Sequence, residues 1–238
     1  MDIEYTFIMD DVELHYAVDV DRQYDINVDR SEASSWTKLE QSQCSNCPLS
    51  KLQYKHCPAA IDLQHVVEDF QKLPAIKNAK VRVMTPQREY FKEAPLEEGL
   101  RSMMGLIMAT SDCPILAKLK PNAQNHLPFA SQEDFITRSA SLFLLRQYFL
   151  YREGHRPDWD FQGLIRINQQ LQLLNQAFLQ RIQSACESDS NLKALLSFFN
   201  LSSSVSFSLE SQLQKVRPKI MGEDDGWAMK DDRNVRSF

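Results

Sequence analysis

The period of the apolar residues changes at Pro95, and that change most limits what this chain can fold into. Upstream, apolar side chains mostly alternate with polar ones, as in half-buried strands. Downstream, they recur at three- and four-residue spacing, as in helices packed on one face. Ile3, Tyr5, Phe7 and Met9 alternate with Glu4 and Thr6, and Asp10-Asp11 fits a turn. Val12, Leu14, Tyr16, Val18 and Val20 alternate with Glu13, His15 and Asp19, and Tyr24, Ile26 and Val28 make a third such run. These runs predict an antiparallel meander with one buried face and one acidic, wet face. Trp36 to Leu39 is a candidate fourth strand. A helix is expected from Pro58, a favoured first helical residue, to about Lys72, with Cys57 as its N-cap. Lys80 to Thr85 reads as a strand on which Arg88 to Lys92 can pair back.

Beyond Pro95, Glu97 and Glu98 fall in the first turn of an expected helix, where they complement its dipole. Leu100, Met103, Met104 and Ile107 follow as its apolar body. A short helix is expected from Pro114 to Lys118, stopping before Pro121. Ser131 reads as an N-cap with Asp134 three residues on, a capping-box start to a helix that ends at Gly154. Asp158 is placed to cap a longer helix whose Leu164, Ile167, Leu171, Leu174 and Phe178 form a coiled-coil-like seam. Helical spacing begins again at Asp189 or Asn191 and at Leu209. The fold class is therefore α+β. Residues 1–94 are expected to form the antiparallel sheet and a cysteine-rich α/β segment, 95–217 a helical bundle packed on it, and 218–238, with Trp227, a mobile tail.

Within that frame the chemical signal is C-S-N-C-P-L-S-K-L-Q-Y-K-H-C-P-A-A, which brings Cys44, Cys47 and Cys57 together, with Cys113 supplied by S-D-C-P. Cys47, Cys57 and Cys113 each precede a proline. The thiolate is both ligand and nucleophile, and a cysteine at a helix start has its pKa lowered; Cys57 and Cys113 are expected to be of that kind. Zinc favours four thiolates in a closed tetrahedron, and the C-x2-C of Cys44 and Cys47 is the usual first half of such a site. Cys57 and Cys113 do not make a second C-x2-C. An iron–sulfur cluster, also held by four thiolates, is the alternative. A metal-free thiol pair, Cys44 and Cys47, is the third reading, although the preceding meander is not the βαβ setting of a redox C-x-x-C. His126 is the reserve ligand. His56 adjoins Cys57 too closely for both to reach one ion without strain. Cys186 reads as a small buried apolar residue, and His15, His65 and His155 as surface residues. Asp134 and Arg138 are i,i+4 neighbours and are expected to pair, with Glu133 beside them.

Composition excludes several classes. Net charge is −5, and residues 1–30, with nine acidic and two basic side chains, carry −7 of it, which leaves +2 for the rest. No concentrated basic surface exists for nucleic acid. The chain has only six glycines and no phosphate-cradling glycine loop or nucleophile elbow, so no catalytic constellation is recognisable. The start M-D-I-E-Y lacks a signal-peptide pattern, and Met103 to Ala109 is too short to span a bilayer. A cytoplasmic protein with no membrane association is expected; a protein partner is allowed, and oligomeric state is left open.

Taken together, Cys44/Cys47-Pro48-Leu49, Cys57-Pro58-Ala59-Ala60, Arg88, Gly99-Leu100-Arg101-Ser102, Ser111-Asp112-Cys113-Pro114, His126 to Ala130, Glu133-Asp134 and Arg138 resemble an uncharacterised bacterial family, a domain of unknown function. The resemblance runs from Trp36 to about Ala194 and takes in Asp189 and Asn191. Asp134 stands where that pattern carries glutamate. The resemblance implies no activity; it implies one shared pattern that contains Cys44, Cys47, Cys57, Cys113 and His126. The expected function is a non-catalytic, zinc-stabilised binding or regulatory protein, with an iron–sulfur redox or sensor protein and a thiol enzyme using Cys44 or Cys47 as alternatives.

Overall fold

A computed structural model describes residues 1–10, 12–23, 32–71, 73, 78–185 and 209–222. The expected third strand around Ile26, the helix from Asp189, Cys186 and Trp227 lie outside these residues. Four strands, β1 (Asp2–Met9), β2 (Val12–Asp19), β3 (Asn78–Met84) and β4 (Glu89–Pro95), make one sheet in the order β2-β1-β3-β4. Every neighbouring pair is antiparallel. The alternation of β1 holds to its end, with Ile3, Tyr5, Phe7 and Met9 all buried. Among the described residues β2 is an edge strand. Its Val18 is buried, but Val12 at the other end is exposed.

The candidate strand at Trp36 is instead a single 3₁₀ turn, Ser35–Thr37. Thr37 Oγ1 donates to the Ser34 carbonyl at 2.7 Å, a local bond that competes with any ladder. Lys38 then pairs with His56 in an isolated antiparallel bridge. The sheet's remaining places go to the β3–β4 hairpin.

Helix α1 (Pro58–Phe70) starts on the Cys57 N-cap and buries Leu63, Val66, Val67 and Phe70. Pro95 ends β4 and caps α2 (Leu96–Ala109), so the strand-to-helix change falls on one residue. Gly99 sits where α2 crosses the sheet. A Cβ there would lie 2.7 Å from Phe7 Cε1 and 2.8 Å from Val81 Cγ2. The short helix expected to stop before Pro121 is a 3₁₀ turn, Leu116–Leu119, that runs into α3 (Lys120–Gln124). Pro121 lies in the first turn of α3, where its missing N–H costs nothing.

Helix α4 (Gln132–Arg152) opens on the expected capping box of Ser131 and Asp134 and closes at Gly154, whose φ is +85°. Helix α5 (Gln162–Ala185) is capped by Asp158, which accepts from Gln162 N at 3.1 Å and Gly163 N at 2.5 Å. Helix α6 (Leu209–Met221) ends four residues past the expected boundary at 217. The buried face of the sheet, α1, α2 and Leu171 to Ile182 of α5 share one hydrophobic core. The α+β class is as the sequence predicts, with α1 set between β2 and β3 and helices α2 to α6 after β4. Among the described residues, no helix is long and apolar enough to cross a membrane.

Candidate functional site

Cys44, Cys47, Cys57 and Cys113 line one small cavity, about 10 Å³ in volume, closed by Leu174, Phe178 and Arg181 of α5. All four are free thiols. The N-terminal segment delivers three and the turn after α2 the fourth, so the cavity lies where the sheet segment meets the helices. Cys57 and Cys113 are buried at 8% and 6% exposure, while Cys44 and Cys47 are half-buried against the core. As they stand, no three His, Cys, Asp or Glu side chains among the described residues are grouped closely enough to form a preformed metal cage. The sulfurs are gathered at one cavity without being closed into a ligand set.

Burial governs the thiols. It pushes Cys44 up to about 12 and Cys113 up to about 11, and it raises Cys57 as well. Neighbouring thiols add to the rise at Cys44. The helix-start expectation is therefore reversed in sign. Backbone amides of Ala59 and Ala60 at Cys57, and of Ile115 and Leu116 at Cys113, do favour the thiolate, but loss of water outweighs them.

The cation facing these thiols is Arg181, only 1% exposed. Its Nη1 donates at 2.6 Å to both Trp36 O and Lys38 O, and its Nη2 at 3.4 Å to Leu39 O. Burial lowers its pKa, while Cys57, Cys44 and Cys47 oppose that. Among the described residues no carboxylate lies within ion-pair reach of it. The cysteine loop is tied to the same helix elsewhere, by Asn46 Nδ2 on Gln170 O at 3.0 Å and Gln41 Nε2 on Ser184 Oγ at 3.3 Å. Arg181 was not among the residues singled out in sequence. Its signal was there: it stands three residues after Phe178, on the apolar seam of α5, where a lone charge is out of place.

His126, the reserve ligand, is elsewhere. Its Nε2 lies 2.6 Å from Tyr5 Oη, which lies 2.7 Å from Ser102 Oγ, and Phe129 N–H donates to Ser102 Oγ at 3.1 Å. Phe129 holds a left-handed backbone, φ +58°, a conformation an aromatic residue adopts only when its surroundings impose it. Burial, with help from Arg138, pulls His126 down to about 3, so the ring is neutral, and burial raises Tyr5 above its usual range. This network borders a second cavity of about 200 Å³ between α2, α3, α4 and α5. His56 bonds Thr37 Oγ1 through Nδ1 at 2.8 Å, and His15, His65 and His155 are exposed as expected. The expected Asp134–Arg138 pair is not made. Asp134 Oδ2 accepts from Ser131 N and Oγ, Glu133 bonds Lys219, and Arg138 Nη1 donates to Asn125 O at 3.3 Å. The capping box holds the carboxylate at the helix start, out of ion-pair distance of Arg138.

No curated protein matches the chain, and no solved structure does. Residues 3–220 match the family described as Domain of unknown function (DUF6901), and the chain belongs to that family.

Proposed function

We propose that this chain is a non-catalytic, metal-stabilised cytoplasmic protein of binding or regulatory type, in which Cys44, Cys47, Cys57 and Cys113 hold a single zinc ion. The observation that carries this reading is Arg181, a fully buried guanidinium that faces thiols and has no carboxylate within ion-pair reach among the described residues. A buried cation without a counter-charge is costly. Four thiolates around zinc carry net negative charge, which Arg181 offsets. The ion supplies a cross-link between the N-terminal segment and the helices, and closure of so long a loop is where such a link stabilises most.

The size of the cavity supports one ion over a cluster. About 10 Å³ is room for one water-sized occupant, and an iron–sulfur cluster needs more. Burial of Cys44 weighs against a nucleophilic role for that thiol, because a reactive cysteine needs an accessible, stabilised thiolate.

The test is elemental analysis and a visible spectrum on protein purified anaerobically without chelator. About one zinc per chain and no colour is expected. Iron with sulfide and a broad visible band would establish the iron–sulfur alternative instead. Cys57→Ser should lose the metal and unfold at markedly lower temperature. A metal-free Cys57→Ser protein as stable as the parent would sink the proposal.

A further inference from the structure

The 200 Å³ cavity beside His126 has its own logic, independent of the thiols. It is lined by Arg101 and Arg138, by His126, and by apolar side chains such as Leu106, Phe135 and Leu171; among the described residues it has no acidic lining. Arg138 Nε is buried without a hydrogen-bond partner. Asp134 is the acidic group that acts on Arg138, and its Oδ2 is occupied by Ser131.

His126 brings a second donor. Phe129 N–H donates into Ser102 Oγ, so the Ser102 hydroxyl donates onward to Tyr5 Oη, and Tyr5 O–H donates to His126 Nε2. The opposite order would leave the Ser102 proton without an acceptor. Assigned from this network, the neutral ring carries its proton on Nδ1. Arg138 and His126, both able to donate, therefore line one cavity that carries two arginines and, among the described residues, no carboxylate. An unpaired buried donor such as Arg138 Nε is expensive, and an anion held between Arg138 and His126 supplies the acceptor and the counter-charge that this lining lacks.

We propose that this cavity binds a small monocarboxylate with an apolar body, its carboxylate accepting from Arg138 and His126 and its body lying against Leu106, Phe135 and Leu171. The size fits: a cavity of about 150 Å³ holds benzene, and this one, at about 200 Å³, has room for such a body and a carboxylate. The apolar wall favours this occupant over inorganic phosphate, whose oxygens would lose water along it without replacement.

The test is calorimetric titration of the purified chain with benzoate, its neutral isostere benzamide, and inorganic phosphate. Benzoate should bind in one-to-one ratio, with benzamide and phosphate at least about tenfold weaker. Arg138→Gln should weaken benzoate by about ten- to a hundredfold. Arg138 also donates to Asn125, so circular dichroism and a melting curve must show that this variant folds. Ala109→Leu, which fills the cavity without touching a donor, should abolish binding on its own. No binding at millimolar benzoate, equal binding of benzamide or phosphate, or unchanged affinity in Ala109→Leu would each overturn the proposal.

Discussion

Arg181 Nη1 donates at 2.6 Å to the backbone carbonyl of Lys38, a residue 143 positions earlier in the chain. Lys38 is also the residue that bridges His56, and Leu39 N donates to Lys55 O at 2.8 Å while Cys57 N donates to Thr37 O at 2.8 Å. One side chain of α5 therefore holds the backbone just ahead of the loop that carries Cys44 and Cys47, and the backbone pairing ties the far side of that loop, Lys55 to Cys57, to it. The same guanidinium is the positive charge those thiols meet. Backbone order and site electrostatics thus depend on one buried residue.

Arg181→Met should be among the most damaging single substitutions in the protein. It strips a donor from three carbonyls at once, and each buried acceptor left short costs about 1–3 kcal/mol. A total loss of about 3–5 kcal/mol is expected, the range for breaking a buried charged network. Arg181→Lys keeps the charge but loses the planar fork, so it should fall between the two. Denaturant midpoints of the three proteins measure this. A Met variant as stable as the parent would remove Arg181 from its organising role.

Thiol chemistry should follow burial. In protein stripped of metal, alkylation of Cys44 and Cys113 should be slow at neutral pH and rise about tenfold per pH unit up to about pH 10, because both thiols titrate only near 11 to 12. Mass spectrometry of labelled peptides across that range reads it directly. A plateau near pH 8 would indicate an activated thiol and favour the enzyme alternative.

Local signals carried much of this fold. The β1 alternation, the Ser131 capping box and the Gly154 stop each lie within a few residues of sequence, and each is present as read. Where the reading failed, a local rule met a stronger competitor. Thr37 bonded to Ser34 instead of a strand, Pro121 entered a first turn, and burial overrode the helix-start effect on Cys57 and Cys113. The four cysteines could be grouped from their motifs, and they do share one cavity. Arg181 with Trp36, and Tyr5 with His126, are 145 and 121 residues apart, and such pairings leave no periodic trace.

Gly99→Ala should destabilise although Ala is the better helix former. The new methyl would sit 2.7 Å from Phe7 and 2.8 Å from Val81, both fully buried in the sheet face. Overpacking of this kind costs about 1–3 kcal/mol, against about 1 kcal/mol gained in helix propensity. A lower urea midpoint with unchanged slope is expected. A higher midpoint would mean that α2 can lift from the sheet at no cost.

His126 should make the fold acid-sensitive well above the pH at which its own ring titrates. Burial holds its pKa at about 3 in the folded protein, against an ordinary 6.5. Above pH 6.5 the ring is neutral in both states and adds no pH dependence. As pH falls below that value the unfolded chain takes up a proton that the folded chain refuses, so stability declines by up to about 1.4 kcal/mol per pH unit until pH nears 3. Carboxylate protonation and loss of the proposed zinc would act in the same range, so the comparison is with His126→Gln, whose amide oxygen can still accept from Tyr5 but cannot titrate. Between pH 6.5 and about 4.5 the variant should lose about 2–3 kcal/mol less than the parent in chemical denaturation. Parallel curves would mean that His126 protonates normally in the folded state, and the neutral ring accepting from Tyr5 would have to be abandoned.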